Sequence, residues 1–136
     1  MKREIRVLSD LNDLNDLLRG ASVDQAQVVP EPGGLQAVVE LTRAMVEAQP
    51  VAAGGGWFTR VRTPWAKSRL IFRRVTGVEM KRLSDLPPAE QPLVTADAVP
   101  GGYQLTVQAP DGLQLTVRVD ELDGTFTDVG DVIVQP

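Results

Sequence analysis

One segment of the chain, residues 103–119, constrains the fold more than any other. Apolar side chains occupy every second position from Tyr103 to Ala109 and again from Leu113 to Val119, with polar residues between them. The two runs are joined by Pro110-Asp111-Gly112, which is typical of a tight turn. Because successive side chains of a strand point to opposite faces, this pattern predicts an antiparallel hairpin with one buried face.

Several other stretches have the composition of β-strands. Residues 68–83 fit one long strand or a bulged pair, in which Leu70 and Phe72 alternate and Gly77 marks the bulge. Strands that end at Pro- or Gly-rich turns are also indicated elsewhere. These additional predicted strands are residues 2–8, 21–29, 57–62, 93–99 and 132–134.

A single short helix is indicated near the N-terminus. Leucines recur at helical spacing over residues 11–18, and Asn and Asp fill the opposite face. Ser9 fits a helix N-cap, and Gly20 fits the glycine that commonly follows a helix. We therefore expect a helix over about residues 10–19.

Residues 35–48 fit two structures. Alternating apolar residues from Leu35 to Leu41, placed after the turn Pro30–Gly34, favour the second strand of a hairpin. As a helix, the same stretch has a polar stripe that includes Glu40 and Arg43. Periodicity alone favours the helix and the short connection favours the strand.

The order of elements also carries a resemblance. A short helix is followed by Ala21, Val28, Leu35 and Leu41, then by Leu70-x-Phe72-x-x-Val75, then by a glycine-turned hairpin. This layout resembles small, uncharacterised bacterial β-rich domains in which residues 35–46 form a strand. The resemblance implies the strand for residues 35–48. It supplies no activity and no functional residue.

Together these patterns predict one α+β domain, mainly β, over residues 1–136: an antiparallel sheet or sandwich with the helix packed on it. A chain of 136 residues has the length of a single domain. Residues 51–56 and 85–92 are expected to be flexible loops. The expected core is Leu14, Leu17, Val39, Leu70, Phe72, Val75, Leu105, Val107, Leu115 and Val117.

Composition removes several classes of function. The chain contains neither Cys nor His, which excludes disulfides, thiol nucleophiles, histidine bases and most transition-metal sites. The acidic segment 120–131 does not place oxygen ligands and glycine as a calcium-binding EF-hand loop requires. We therefore expect a protein that is not an enzyme and has no cofactor and no metal.

No targeting or membrane segment is evident. No apolar run approaches the ~20 residues that span a bilayer, and residues 1–8 lack the apolar stretch of a signal peptide. The expected location is cytoplasmic, without membrane contact.

Charge is strongly segregated along the chain. Residues 57–82 carry a net charge of +7 and the remainder carries −11, giving −4 in total. The basic segment either pairs with acidic residues inside the fold or faces an anionic partner. Internal pairing is the favoured interpretation, because the acidic remainder would repel a polyanion.

The segment 57–74 combines four of the six aromatic residues with most of these basic residues. Trp and Arg are common anchors of protein interfaces, and a basic groove with aromatics also suits single-stranded nucleic acid. The leading hypothesis is a small non-catalytic interaction module that binds a protein partner or itself, an unpaired edge strand being a natural route to a homo-oligomer. The alternative is binding of a polyanion or single-stranded nucleic acid. The candidate binding residues are Trp57, Arg60, Arg62, Trp65 and Arg73.

Overall fold

The computed structural model describes residues 2–44, 51–53, 60–62, 64–82, 91–129 and 133–134. These residues form a curled antiparallel sheet with one short helix, so the predicted mainly-β fold class is confirmed. The elements are β1 (Lys2–Ile5), α1 (Asp10–Leu17), β2 (Ser22–Glu31), β3 (Gly34–Ala44), β4 (Val51–Ala53), β5 (Arg60–Arg62), β6 (Pro64–Arg82), β7 (Leu93–Val99), β8 (Gly102–Gln108), β9 (Leu113–Val119), β10 (Gly124–Asp128) and β11 (Ile133–Val134).

The 19-residue strand β6 organises the main sheet. Its first half pairs with β3 on one edge and with β10 and β11 on the other. Its second half pairs with β9, which continues along the same edge as β10. One half-sheet therefore runs β2-β3-β6-β10-β1 and the other runs β6-β9-β8-β7. The strands β4 and β5 form a separate two-stranded sheet.

The strand β6 bends where it changes partners. Opposite β3 it has one extra residue between Phe72 and Val75, and opposite β9 it has another, Thr76, between Val75 and Gly77. Arg74 has a φ of +58°, in the left-handed region that side chains other than glycine seldom adopt. The bulge predicted near Gly77 is therefore present, and it begins three residues earlier.

Residues 34–44 are a strand, which decides between the two structures that fit residues 35–48. Turn residues Pro32 and Gly33 connect it to β2, and Gly33 adopts a φ of +85° that its missing Cβ permits. The helix-like spacing arises because Val38 is buried although it lies on the opposite face from Val39. Residues 45–48 lie outside the described residues.

All ten side chains predicted to form the core are buried in one apolar cluster. Leu11, Leu14 and Leu17 of α1 belong to this cluster. Burial of apolar surface is the main stabilising contribution to such a fold. The alternating pattern of β8 and β9 and the leucine spacing of α1 both place apolar side chains in this one core, so the local patterns agree with the overall fold.

The helix ends differ from the prediction. Ser9 is the N-cap residue, as predicted, but its side chain makes no capping hydrogen bond. Instead the carboxylate of Asp10 accepts hydrogen bonds from the backbone N–H groups of Arg6 and Val7, at 2.9 and 3.1 Å. These contacts hold the pKa of Asp10 below its usual value. Gly20, with a φ of +72°, lies two residues beyond the C-cap Leu18.

The predicted loops are described only in part. The strand β4 occupies the first three residues of the segment 51–56, and 54–56 lie outside the described residues. Of the segment 85–92, only Gln91 and Pro92 are described, and they lead into β7. Of the predicted strand 57–62, residues 60–62 form β5.

Candidate functional site

Of the five predicted binding residues, the structure describes the side chains of two, Trp65 and Arg73. Trp57 lies outside the described residues, and Arg60 and Arg62 form β5, of which only the backbone is described. Trp65 and Arg73 are both half-buried on β6. Because an extended strand rises about 3.3 Å per residue, roughly 26 Å separate these two positions. They therefore do not line a common site.

Arg73 is engaged inside the protein. One terminal nitrogen of its guanidinium donates to the hydroxyl oxygen of Thr125 at 3.0 Å and to Asp123 Oδ1 at 3.4 Å. Its backbone N–H donates to the carbonyl oxygen of Asp123 at 2.8 Å. These hydrogen bonds of Arg73 thus link the bend of β6 to Asp123, which precedes β10, and to Thr125 in β10.

The described basic side chains of residues 67–82 are paired with carboxylates of the same chain. Each described Lys or Arg side chain between residues 67 and 82 has a carboxylate oxygen within 4.0 Å, which supports the internal interpretation of the charge segregation. The closest pairs are Lys67–Asp24 at 3.2 Å, Arg69–Glu40 at 2.8 Å, Arg73–Asp123 at 3.4 Å, Arg74–Glu121 at 3.6 Å, Lys81–Glu79 at 2.9 Å and Arg82–Asp111 at 3.0 Å.

A buried ion pair that sequence analysis did not single out lies beneath β6. Arg43 Nε donates to Asp128 Oδ1 at 3.0 Å and its Nη2 donates to Oδ2 at 2.9 Å. The hydroxyl of Ser68 donates to Asp128 Oδ1 at 2.7 Å. The Arg43 side chain is 0% exposed and its guanidinium lies 5.5 Å from the centre of the Phe126 ring.

The ionisation of Asp128 follows from these contacts. Burial raises the pKa of Asp128, but the hydrogen bonds from Arg43 and Ser68, together with the charge of Arg43, outweigh burial and leave the pKa lowered. Ser68 is fully buried, and its proton is directed at a carboxylate. The arrangement suits a structural link between strands better than nucleophilic chemistry.

The alternation of residues 35–44 already indicates that Arg43 is buried and needs an acidic partner. If residues 35–44 form a strand, Arg43 follows Val39 and Leu41 on the buried face, and a buried guanidinium requires an acidic partner. The partner is not evident from the sequence, because Asp128 is one of several acidic residues in the segment 120–131.

Two depressions lie on the polar surface. One, of about 440 Å³, surrounds the bend of β6 and brings Arg73 and Arg74 against Glu31, Asp120 and Asp123. The other, of about 510 Å³, lies on the outer face of β6, β8 and β9, where Arg118 stands beside Gly77 and Thr116. Both are shallow and carry charges of both signs.

The second half of β6 is an open edge. After Val75 the strand β3 no longer pairs with β6, and no strand of the described chain lies on that side of residues 76–82. Val78 and Met80 are 36% and 45% exposed on this edge. We call residues 76–82 the open edge.

The exposed side chains of the open edge continue the core. Met80 is the cross-strand partner of buried Leu115, which in turn faces buried Val107. Val78 likewise pairs with buried Val117. Two rows of apolar side chains therefore extend from the core to the open edge, one ending at Met80 and the other at Val78. Within the described chain, no strand covers the ends of these two core rows.

Comparison of the chain with protein-family models, with curated proteins and with solved structures finds no match. The resemblance to small bacterial β-rich domains stays a prediction. The helix of the described residues has eight residues, too few to cross a membrane, which takes about 20. Over the same residues, no three acidic side chains are arranged so that they could hold a metal ion.

Proposed function

We propose that this protein is a non-catalytic interaction module that binds a protein partner, or a second copy of itself, by adding a strand to the open edge of β6. The observation that carries the proposal is the coincidence, within residues 76–82, of an unpaired strand edge and the exposed ends of two core rows. The proposed site therefore differs from residues 57–74, which the sequence analysis favours, and lies in the second half of β6.

The physical argument concerns both the backbone and the side chains. An edge strand presents N–H and C=O groups that a further strand can pair with, and natural proteins usually protect such edges with charge, proline or brevity. The open edge carries charged side chains as well, but Val78 and Met80 present apolar surface among them. A strand added here would gain main-chain hydrogen bonds and bury both side chains, as in other cases of strand addition.

The non-catalytic part of the proposal is supported by side-chain chemistry. The sequence lacks Cys and His, the usual thiol nucleophile and the commonest general base. Of its four serines, Ser68 is buried against Asp128. The acidic side chains near the bend of β6 are held by arginines rather than directed into an enclosed cavity.

The alternative, binding of a polyanion through residues 57–74, has less support. Lys67, Arg69, Arg73 and Arg74 each already contact a carboxylate. A phosphate chain would have to displace those carboxylates and would also meet the acidic remainder of the protein.

The proposal is tested by changing only the apolar surface of the open edge. The double variant Val78→Lys, Met80→Lys is compared with the control Val7→Lys, Leu8→Lys, whose side chains are at least as exposed but precede α1. Both variants and the unchanged protein are immobilised, and self-association and proteins retained from a cell extract are quantified. Circular dichroism establishes that the variants remain folded.

We expect the edge variant to lose both self-association and specific retained proteins, and the control variant to keep them. The proposal is overturned if the two variants retain the same proteins and self-associate equally.

A further inference from the structure

We infer that the occupant of the open edge is the β6 strand of a second copy of this chain, paired antiparallel about a two-fold axis at Met80. The inference rests on the proposed function and names its partner. It starts from the sequence Val78-Glu79-Met80-Lys81-Arg82, in which opposite charges flank one exposed apolar residue. A two-fold contact requires a surface that is complementary to itself. This segment meets that requirement, because it carries a negative charge on one side of Met80 and a positive charge on the other.

The charges lie on one face of the sheet. Glu79 and Lys81 face Thr116 and Gln114 across β9, on the outer side, while Met80 faces Leu115 on the core side. Their side chains are both more than half exposed, and Lys81 Nζ lies 2.9 Å from Glu79 Oε1. Each copy thus presents one positive and one negative charge at the edge.

Antiparallel pairing about Met80 places Glu79 of each copy opposite Lys81 of the other. Since opposite charges directly across two strands attract, the four side chains form a ring of alternating sign. The axis also sets Met80 against the second copy's Met80, which joins the core rows of the two chains. Val78 then faces Arg82, whose aliphatic stem can cover it.

Neighbouring registers are less favourable. An axis at Glu79 places the Glu79 carboxylates of the two copies opposite each other, and these like charges repel. An axis at Lys81 likewise places the two Lys81 ammonium groups opposite each other. An axis at Val78 leaves Glu79 and Lys81 without an opposite charge across the two strands. It also places Lys81 opposite Val75, which already pairs with β3 on that side. Only the axis at Met80 uses both charges.

The register makes a reciprocal prediction for two charge reversals. Glu79→Lys gives four lysines around the axis and Lys81→Glu gives four glutamates, so each variant should dissociate about tenfold or more readily than the unchanged dimer. A one-to-one mixture of the two variants restores opposite charges at both positions and should form a heterodimer. The double reversal Glu79→Lys, Lys81→Glu should self-associate again.

Analytical ultracentrifugation from micromolar to millimolar concentration gives the mass of each species, and circular dichroism checks folding. We expect a dimer for the unchanged chain and the double reversal, monomers for each single reversal, and a heterodimer for the mixture. The inference is overturned if the unchanged chain is a monomer throughout, if either single reversal dimerises as well as the unchanged chain, or if the mixture stays monomeric.

These outcomes separate the inference from the proposed function. An unchanged chain that stays monomeric, but retains proteins that Val78→Lys, Met80→Lys loses, overturns the second copy as occupant and leaves strand addition standing. Equal retention of proteins together with equal self-association of the edge variant and its control overturns strand addition itself.

Discussion

Arg43 and Asp128 are 85 residues apart in the chain, yet their side chains form a bidentate ion pair, with N–O distances of 3.0 and 2.9 Å. Arg43 lies on β3 and Asp128 ends β10, and these strands flank opposite edges of β6. The pair therefore crosses beneath β6 on its buried side, where Ser68 joins it. It links three strands that distant parts of the sequence supply.

We expect Arg43→Met to destabilise the protein by about 3–5 kcal/mol, because removing one partner leaves Asp128 without its buried counter-charge. The measurement is the free energy of unfolding from urea titration. Arg69→Met is the matched control: Arg69 pairs with Glu40 at a partly exposed site, so its loss should cost no more than about 1 kcal/mol. Equal costs for the two variants would show that burial of the Arg43 pair has no special weight.

The lowered pKa of Asp128 predicts a dependence of stability on pH. Because the folded protein holds this carboxylate in its charged form, the contribution is complete above the unfolded value of about 3.8 and is lost as the pH falls through the lower folded value. Asp128→Asn should flatten the fall in stability below pH ~4. The check is the free energy of unfolding as a function of pH, and parallel curves for the two proteins would contradict the prediction.

Much of the fold was predictable because local patterns agreed with one another. Strict alternation specified β8 and β9, and leucine spacing specified α1. Residues 35–44 were ambiguous because Val38 is buried on the face opposite Val39, so the alternation of a strand was blurred. That ambiguity is removed only by pairing with β2 and β6, which is information about distant residues.

The site was less predictable for the same reason. Composition draws attention to the arginines and tryptophans of residues 57–74, but the charges of Lys67, Arg69 and Arg73 are paired with carboxylates that the fold brings close. The open edge of β6 after Val75 depends on where β3 begins relative to it. No sequence pattern states that relation, so Val78 and Met80 were interpreted as ordinary strand residues.

Asn15 provides a test of how α1 is attached to the sheet. Its side-chain amide donates to the carbonyl oxygen of Val94 at 2.9 Å and accepts from the Val94 N–H at 2.8 Å, as a neighbouring strand would. Asn15→Ala leaves both backbone groups unpaired and should cost about 1–3 kcal/mol. Asn12→Ala, at an exposed position of the same helix, should cost less than about 0.5 kcal/mol.

Hydrogen exchange adds a local check on the Asn15 variant. The amide of Val94 should exchange faster in Asn15→Ala than in Asn12→Ala, while the amides of β9 keep their protection. Unchanged protection at Val94 would mean that the helix does not secure this edge.

Gly102 begins β8 where no larger residue fits. Its φ is +153°, and a Cβ placed on it would collide with the carbonyl oxygen of Val119 and lie 2.8 Å from the Cα of Asp120. Both contacts are with backbone, which cannot rotate away, so Gly102→Ala should cost about 1–3 kcal/mol. Gly34→Ala is the control, because a Cβ there meets nothing within 4 Å. Thermal unfolding should separate the two variants clearly.

The pairing of the basic segment predicts weak contact with nucleic acid. Because the carboxylates of Asp24 and Glu40 already neutralise Lys67 and Arg69, a single-stranded oligonucleotide should leave the tryptophan fluorescence unchanged even at low salt. The double variant Asp24→Asn, Glu40→Gln releases both cations and should gain a quench that salt abolishes. If the unchanged protein itself shows a salt-sensitive quench, the internal ion pairs do not prevent phosphate binding, and the polyanion hypothesis for residues 57–74 regains its place beside strand addition.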